Sequence, residues 1–419
     1  MADFSKLIKE KDKAAKYMVD EITHICKDMP KRDPGSEGEK VACEYMADVL
    51  AKDCGCEKVS VESFKENPGS FYGWLNITLT CALLGLLLLF FLPALGAALV
   101  LFGFLVMFLQ FGFYKKAIDK LFPEKDGHNV TAIKKCTGEV KGRVFFNGHP
   151  DAAWEWPVNR MLGGVGFEGH AVIVILGAIY NLVLCIMAAA NGFNYGVLTP
   201  DAPGILGTLF WCGIGGLGFV PFTLLLYGMR NKNYVVDGAN DNLTGCYMGI
   251  AILKAMKEQG IELEHTEVGV ILSGSEEAGL RGAKAWCEAH KGEFDDVPTW
   301  IYSYDTIHDA KFLMVNYRDL NGTVKADKEV SDSFITAAKE LDIACKKGWV
   351  PPLGGATDSA AFAQAGFRAT GITGLNHNLE SYYHTRYDSY DNLSEDGLAK
   401  CYAISVKALE NFDNNISNK

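Results

Sequence analysis

The sequence predicts an α/β protein, a mixed β-sheet sandwiched by helices, interrupted by an α-helical membrane part of four transmembrane helices. Three observations carry this. Short β-branched runs alternate with stretches of helical periodicity through the C-terminal half. Residues able to bind metal recur at the ends of the apolar runs, where open α/β sheets place their sites. Four long apolar stretches, grouped in two pairs, contain no charged residue.

Composition bounds the answer. The chain has 419 residues and a formal net charge of −11, which argues against a nucleic-acid partner. Its mean hydropathy of +0.06 is high for a soluble enzyme, and the excess is concentrated in the four apolar stretches. The 12 cysteines are scattered, including Cys54-Gly-Cys56 in a turn and Cys81, Cys185 and Cys212 in apolar runs. They read as reduced thiols rather than a disulfide framework. Met1–Lys16 is charged throughout and does not read as a signal peptide.

In chain order, Phe4–Cys26 has apolar residues at helical spacing and predicts an amphipathic helix packed on a core. Ser36-x-x-Glu39 is a capping box opening a helix to about Leu50. Lys58–Glu62 alternates as a strand does. Phe71–Tyr114 lacks Asp, Glu, Lys, Arg and His and is long enough for two crossings turning near Pro93. Trp74 and Tyr114 suit an interfacial aromatic belt. Asn129–Lys134 and Arg143–Asn147 flank Thr137-Gly138 and read as a β-hairpin. Ala171–Ala190 and Ile205–Gly228 form the second membrane-length pair, with Gly213–Gly218 suited to close helix packing. Beyond them, helices are expected at Leu243–Lys257, Gly282–Ala289, Ser331–Leu341, Asp358–Ala365 and Asp396–Asn411. Strands are expected at Val268–Ser273, Thr299–Tyr304 and Ala369–Ile372. The domain reading is a discontinuous catalytic domain of residues 1–70, 115–165 and 229–419, with transmembrane hairpins at 71–114 and 166–228.

The chemistry centres on Leu272-Ser-Gly-Ser-Glu-Glu-Ala-Gly. Adjacent carboxylates at a strand end are unfavourable unless positive charge lies nearby. A metal pair would supply it, one carboxylate binding metal while its neighbour handles protons. The bland alternative is a solvated Glu-Glu pair at a helix start. Four further segments tip the balance: His149-Pro-Asp151, the Gly/Asn/Asp turn around Asp241, the strand ending in Asp305, and Ser381–Asp388 with His384. His149, Asp241, Glu277, Asp305 and His384 supply two imidazoles and three carboxylates. With one carboxylate bridging, that suffices for two Zn²⁺ ions with an open position.

These five segments, in this order, resemble the co-catalytic zinc peptidases of the aminopeptidase Y, bacterial leucyl aminopeptidase and glutamate carboxypeptidase family. Arg32–Glu39 and Gly354–Ala361 look like further landmarks of it. The likeness covers residues 30–63, 128–151 and 235–415 and implies a zinc-exopeptidase-like fold. By this resemblance His149 and Asp305 hold one zinc, Glu277 and His384 the other, and Asp241 bridges. Glu276 resembles the general base, Asp151 the carboxylate that orients His149, and Tyr383 the residue that stabilises the oxyanion. The departures are the two inserted hairpins; the second puts ninety positions between Asp151 and Asp241.

The resemblance implies a membrane-integral hydrolase of peptide or amide bonds, most simply an aminopeptidase on short or hydrophobic peptides. An amidase, deacylase or carboxypeptidase acting on a membrane-associated small molecule is the alternative. A catalytically inactive scaffold, a single-zinc glutaminyl cyclase-like acyltransferase and a transporter are weaker, because every ligand position is filled and the apolar stretches carry no ionisable residue. His24, His170, His265, His290, His308 and His377 read as surface or satisfied histidines, His308 being the best of them. Four Asn-x-Thr matches are discounted, and Trp154 and Trp156 suit either substrate or the membrane interface. Lysines and arginines flank the catalytic side of the hairpins while the opposite connections carry only Asp201, so the catalytic domain is expected to face the cytoplasm from the cell membrane. The expected partners are a peptide or amide substrate and the lipid bilayer; a homo-oligomer stays open.

Overall fold

Eight strands build the main sheet of the computed structural model, which describes residues 4–376 and 380–417. His377 lies outside the described residues. The strands are β1 (Lys58–Glu66), β2 (Lys125–Lys134), β3 (Gly142–Gly148), β4 (Thr266–Ser273), β5 (Thr299–Ile307), β6 (Met314–Asn316), β7 (Lys346–Gly348) and β8 (Arg368–Gly374). Their spatial order is β1-β2-β4-β3-β5-β8-β6-β7. The four central strands, β4-β3-β5-β8, are mutually parallel, while β1, β2 and β6 join antiparallel, so the sheet is mixed.

Side chains alternate across this sheet. Val144 and Phe146 enter the large core shared with helices Lys11–Asp28, Thr244–Glu258, Lys328–Glu340 and Glu395–Ser417. Phe145, between them, turns to the opposite face and packs edge-on against Trp286 and Phe294. Both faces are thus covered, which is why the parallel strands read as near-continuous apolar runs. Ser36 caps helix Glu37–Lys52 by accepting from the Glu39 amide, as the capping box predicts. The Glu39 carboxylate, however, turns away to the amides of Gly35 and His128. The first predicted helix is divided at Glu10 into Ser5–Lys9 and Lys11–Asp28.

The expected hairpin between Asn129–Lys134 and Arg143–Asn147 is not formed. β4 lies between the two strands, with Thr131 opposite Ile271 in antiparallel register and Phe145 beside Gly269 in parallel register. The Thr137-Gly138 turn is a crossover. Its amides bond to the carbonyls of Leu263 and Glu264, on the chain that enters β4. β4 carries Val268, Val270 and Leu272, all buried, and such a strand is stable with a neighbour on each side.

The chain forms two compact units: residues Met1–Pro68, Pro123–Glu155 and Asn233–Lys419 in one, Gly69–Phe122 and Trp156–Lys232 in the other. The second contains four helices long and apolar enough to cross a membrane, Gly69–Leu88, Pro93–Gly112, Pro157–Ala190 and Ile205–Leu226. Two are not uniform: the second ends in a π turn at Phe108–Gly112, and the fourth passes through a 3-10 turn at Leu217–Phe219. The third begins at Pro157 rather than near Ala171, so Arg160, Glu168 and His170 lie on it. Proline at the first helical position favours this early start, and the only break is at Gly163, which is left-handed (φ 68°). Polar side chains cross-link the helices. Asn181 donates to the Ala82 carbonyl and Cys185 to that of Gly85. Gly213 lies against Leu89 and Phe90, where an added Cβ would come within 2.8 Å, in keeping with close packing.

Candidate metal centre

The site is assembled where the parallel strands end. His149 and Asp151 follow β3, Glu276 and Glu277 follow β4, Asp305 lies near the end of β5, and His384 lies in the segment after β8. Asp241 sits in the turn before helix Thr244–Glu258. That turn depends on Gly238, which is left-handed (φ 58°) and whose absent Cβ would meet the Asp241 carbonyl at 2.8 Å. The helix start then closes onto β3, because an added Cβ on Gly148 would stand 2.4 Å from the Cys246 amide nitrogen.

The structure brings all five expected ligands together. Donor atoms of His149, Asp241 and Asp305 lie within 4.8 Å of one another, and so do those of Asp241, Glu277 and His384. Asp241 belongs to both groups, with Oδ1 3.2 Å from His149 Nε2 and Oδ2 3.1 Å from His384 Nε2. Glu277 Oε1 is 3.0 Å from His384 Nε2. Glu276 stands 3.9 Å from His149 Nε2 and belongs to neither group. Asp151 lies 3.4 Å from His149 Nδ1 and accepts from the amides of both Glu276 and Glu277 at 3.0 Å. One buried carboxylate therefore lies beside the His149 ring and accepts from both amides of the Glu-Glu turn. Tyr383 stacks on the His384 ring with centroids 4.1 Å apart.

Burial and mutual repulsion set the electrostatics of this cluster. Burial raises the carboxyl groups of Glu276 and Glu277 above the usual range, and nearby Asp305 and Asp241 add to this. Burial and Asp241 push Asp305 up to about 8. Burial alone would depress the histidines, but Glu277 and Asp241 hold His384 up to about 10, and Asp151, Asp241 and Glu276 raise His149. Asp241 is the exception: despite burial, His149 and His384 hold it below the usual carboxylate range. A divalent cation would ease the ionisation of the other three acids. Two imidazoles and three carboxylates match the nitrogen and oxygen ligands zinc takes, so the residues present fit that metal.

Several supporting residues had no assigned role in the sequence reading. Arg32, almost fully buried, donates to the carbonyls of Pro150, Asp237 and Gly238, pinning the His149 loop to the Asp241 turn. Asp388 accepts from the amides of Asn240 and Asp241. Asn242 joins that turn to β5 through the Tyr304 carbonyl and the Thr306 amide. Ser275 donates to Glu39 and Glu66 beneath the Glu-Glu turn. Glu155 is fully buried and receives both the Nε and a terminal nitrogen of Arg386, two residues past His384. Arg32, Glu39, Arg386 and Asp388 fell inside segments the sequence had singled out; Glu66 and Glu155 carried no signal. The His308 ring lies against Tyr382, centroids 4.7 Å apart and tilted by 38°, and is in neither metal group.

Residues 226–409 match the model of Peptidase family M28, a span holding Asp241, Glu276, Glu277, Asp305, Tyr383 and His384. A zinc aminopeptidase from Bacillus subtilis is similar over 95% of this chain and 95% of its own, at 12% identity and a TM-score of 0.55. An aminopeptidase from Aneurinibacillus is similar over 94% and 93%, at 14% identity and a TM-score of 0.54. A glutaminyl cyclase from Bacteroides thetaiotaomicron is similar over 96% and 97%, at 12% identity and a TM-score of 0.52. At these identities the likeness is one of fold. No curated protein sequence matches.

Proposed function

We propose that the chain, whose residues 226–409 match the model of Peptidase family M28, is a membrane-integral di-zinc hydrolase, an aminopeptidase acting on short or hydrophobic peptides. The observation that carries this reading is the pair of three-ligand groups that share Asp241, with Glu276 beside them. In it His149 and Asp305 would hold one zinc, Glu277 and His384 the other, with Asp241 shared between the two groups. Bound zinc would polarise the substrate carbonyl and make a water acidic enough to attack near neutral pH.

The chain's own residues handle the protons. Glu276 keeps a slightly open edge, accepts a proton from the attacking water and returns it to the leaving amine. Asp151 fixes the backbone of Glu276 and the ring of His149 during that exchange. Burial and the carboxylates of Asp241 and Glu277 hold the Tyr383 hydroxyl far above its usual pKa, so it remains a neutral donor for the developing oxyanion. The membrane reading is supported by the four apolar helices. The excess of Lys and Arg beside the catalytic segments supports a cytoplasmic orientation.

Hydrolysis of free-amine against N-blocked peptides in detergent, with and without a chelator, tests the activity. Chelator-sensitive cleavage of free-amine peptides is expected. Cleavage of N-blocked substrates alone turns the reading toward an amidase or carboxypeptidase, and cyclisation of N-terminal glutamine toward an acyltransferase. Elemental analysis is expected to give two zinc ions per chain; one or none after reconstitution removes the di-zinc claim.

A further inference from the structure

We infer that one end of the four-helix unit is a binding collar for anionic phospholipid headgroups, an inference that rests on the membrane reading above. The helices define that end. Asn181 meets Ala82, Cys185 meets Gly85, and the Leu198 amide meets the Phe90 carbonyl, so the first and third helices run in the same direction. Tyr180 bonds to the Cys212 carbonyl while His170 packs on Phe222, so the fourth helix runs back. The starts of the first and third helices and the ends of the second and fourth therefore share one end.

All six basic residues of this unit cluster there: Lys115, Lys116, Lys120, Arg160, Arg230 and Lys232. Every one of them is exposed except Arg230, which is half-buried. Of the two acids at that end, Asp119 is buried, accepting from Ser70 and Gln110, which leaves Glu168 as the exposed one. The other end holds Asp201 alone. The catalytic unit has the opposite sign, with 34 basic against 48 acidic residues. A protein whose larger part repels anions thus concentrates positive charge in one belt.

The belt is built for headgroup depth. Exposed apolar side chains stand among the charges: Phe113 and Leu121 beside the lysines, Met161 beside Arg160. Such neighbours hold a surface in the interface while Lys and Arg reach the phosphate layer. The Arg230 guanidinium lies 4.7 Å over the Tyr72 ring, and the Tyr72 hydroxyl accepts from Trp156. An aromatic platform thus holds this arginine at the same end as the lysines. A signal that only orients the chain during insertion needs the charges and none of this setting.

The test uses the full-length protein in vesicles of phosphatidylcholine mixed with phosphatidylglycerol, extracted gently and examined by native mass spectrometry. Phosphatidylglycerol is expected to be retained in preference to phosphatidylcholine, and the preference should collapse in high salt. The variant K115Q/K116Q/K120Q should weaken retention about a hundredfold, while K134Q/K135Q on the catalytic unit should leave it unchanged. Equal retention of the two lipids, or a preference untouched by both salt and the triple variant, overturns the collar. The salt series on unmodified protein decides the matter should the triple variant insert poorly. Release by carbonate wash overturns the membrane reading and the collar with it. A carbonate-resistant protein without headgroup preference overturns the collar alone.

Discussion

The catalytic unit and the four-helix unit invert each other's rules. In the first, apolar side chains fill the core, and what stands out is buried charge: His149, Asp151, Glu39 and Glu277 are all nearly inaccessible. In the second, apolar side chains cover the outside, with Leu101, Phe102, Leu105 and Trp211 each more than half exposed. There the exceptions are polar groups turned inward, Asn181, Gln110 and Asp119 among them. Buried ionisable groups are costly in water-soluble cores and persist where they do chemistry. Exposed leucine is costly in water and neutral in lipid. The same residue type therefore carries opposite meanings in the two units, and each unit's function shows where its own rule is broken.

The sharpest way to break this comparison is at the buried charges. Glu276→Gln is expected to keep its zinc and lose about 10²–10⁴-fold in kcat, whereas Glu277→Gln should lose zinc occupancy. Steady-state kinetics with elemental analysis of both variants checks this; equal zinc and equal activity would cancel the role assignment. A charge placed on the apolar exterior comes next. Leu101→Lys, mid-helix and exposed, should cost about 2.5–3.5 kcal/mol of insertion and shrink the carbonate-resistant fraction. Val61→Lys, exposed on β1 of the catalytic unit, should change stability by no more than about 0.5 kcal/mol. Similar effects at the two positions would erase the difference between the units.

Arg32 probes how the buried site is held. Arg32→Met leaves three carbonyls without their donor and should cost about 1–3 kcal/mol, seen as a lower Tm with weaker zinc binding in chelator competition. The smallest effect concerns pH. In the metal-free protein His384 is held up to about 10, above its unfolded value of about 6.5, so its proton stabilises the fold below that unfolded value and the contribution fades as pH rises toward 10. Zinc must displace that proton. Apparent zinc affinity should therefore rise with pH across the neutral range, with proton release measurable by titration calorimetry in buffers of different ionisation enthalpy. Affinity independent of pH would remove His384 from the ligand set.

Much was legible in the chain before folding. The strand ends carrying His149, Glu276 and Asp305, the cap at Ser36 and the four apolar runs are local signals, set by periodicity, charge and turn chemistry within a few residues. The ligand roles came from resemblance rather than spacing. What stayed hidden was non-local. The insertion of β4 between β2 and β3 joins residues more than a hundred positions apart, so the adjacent runs with a glycine turn imitated a hairpin. The early start of the third helix was masked by Arg160 and Glu168, charges that end an apolar run without ending a helix. The Arg32 staple and the Glu155–Arg386 pair span gaps of 118 and 231 residues, and a lone Arg or Glu in sequence looks like any solvated side chain. The sequence by itself determined the longer strands and helices, the membrane-length runs and which residues can bind metal. Only tertiary structure decided their neighbours, because closing such long loops depends on the whole core forming at once.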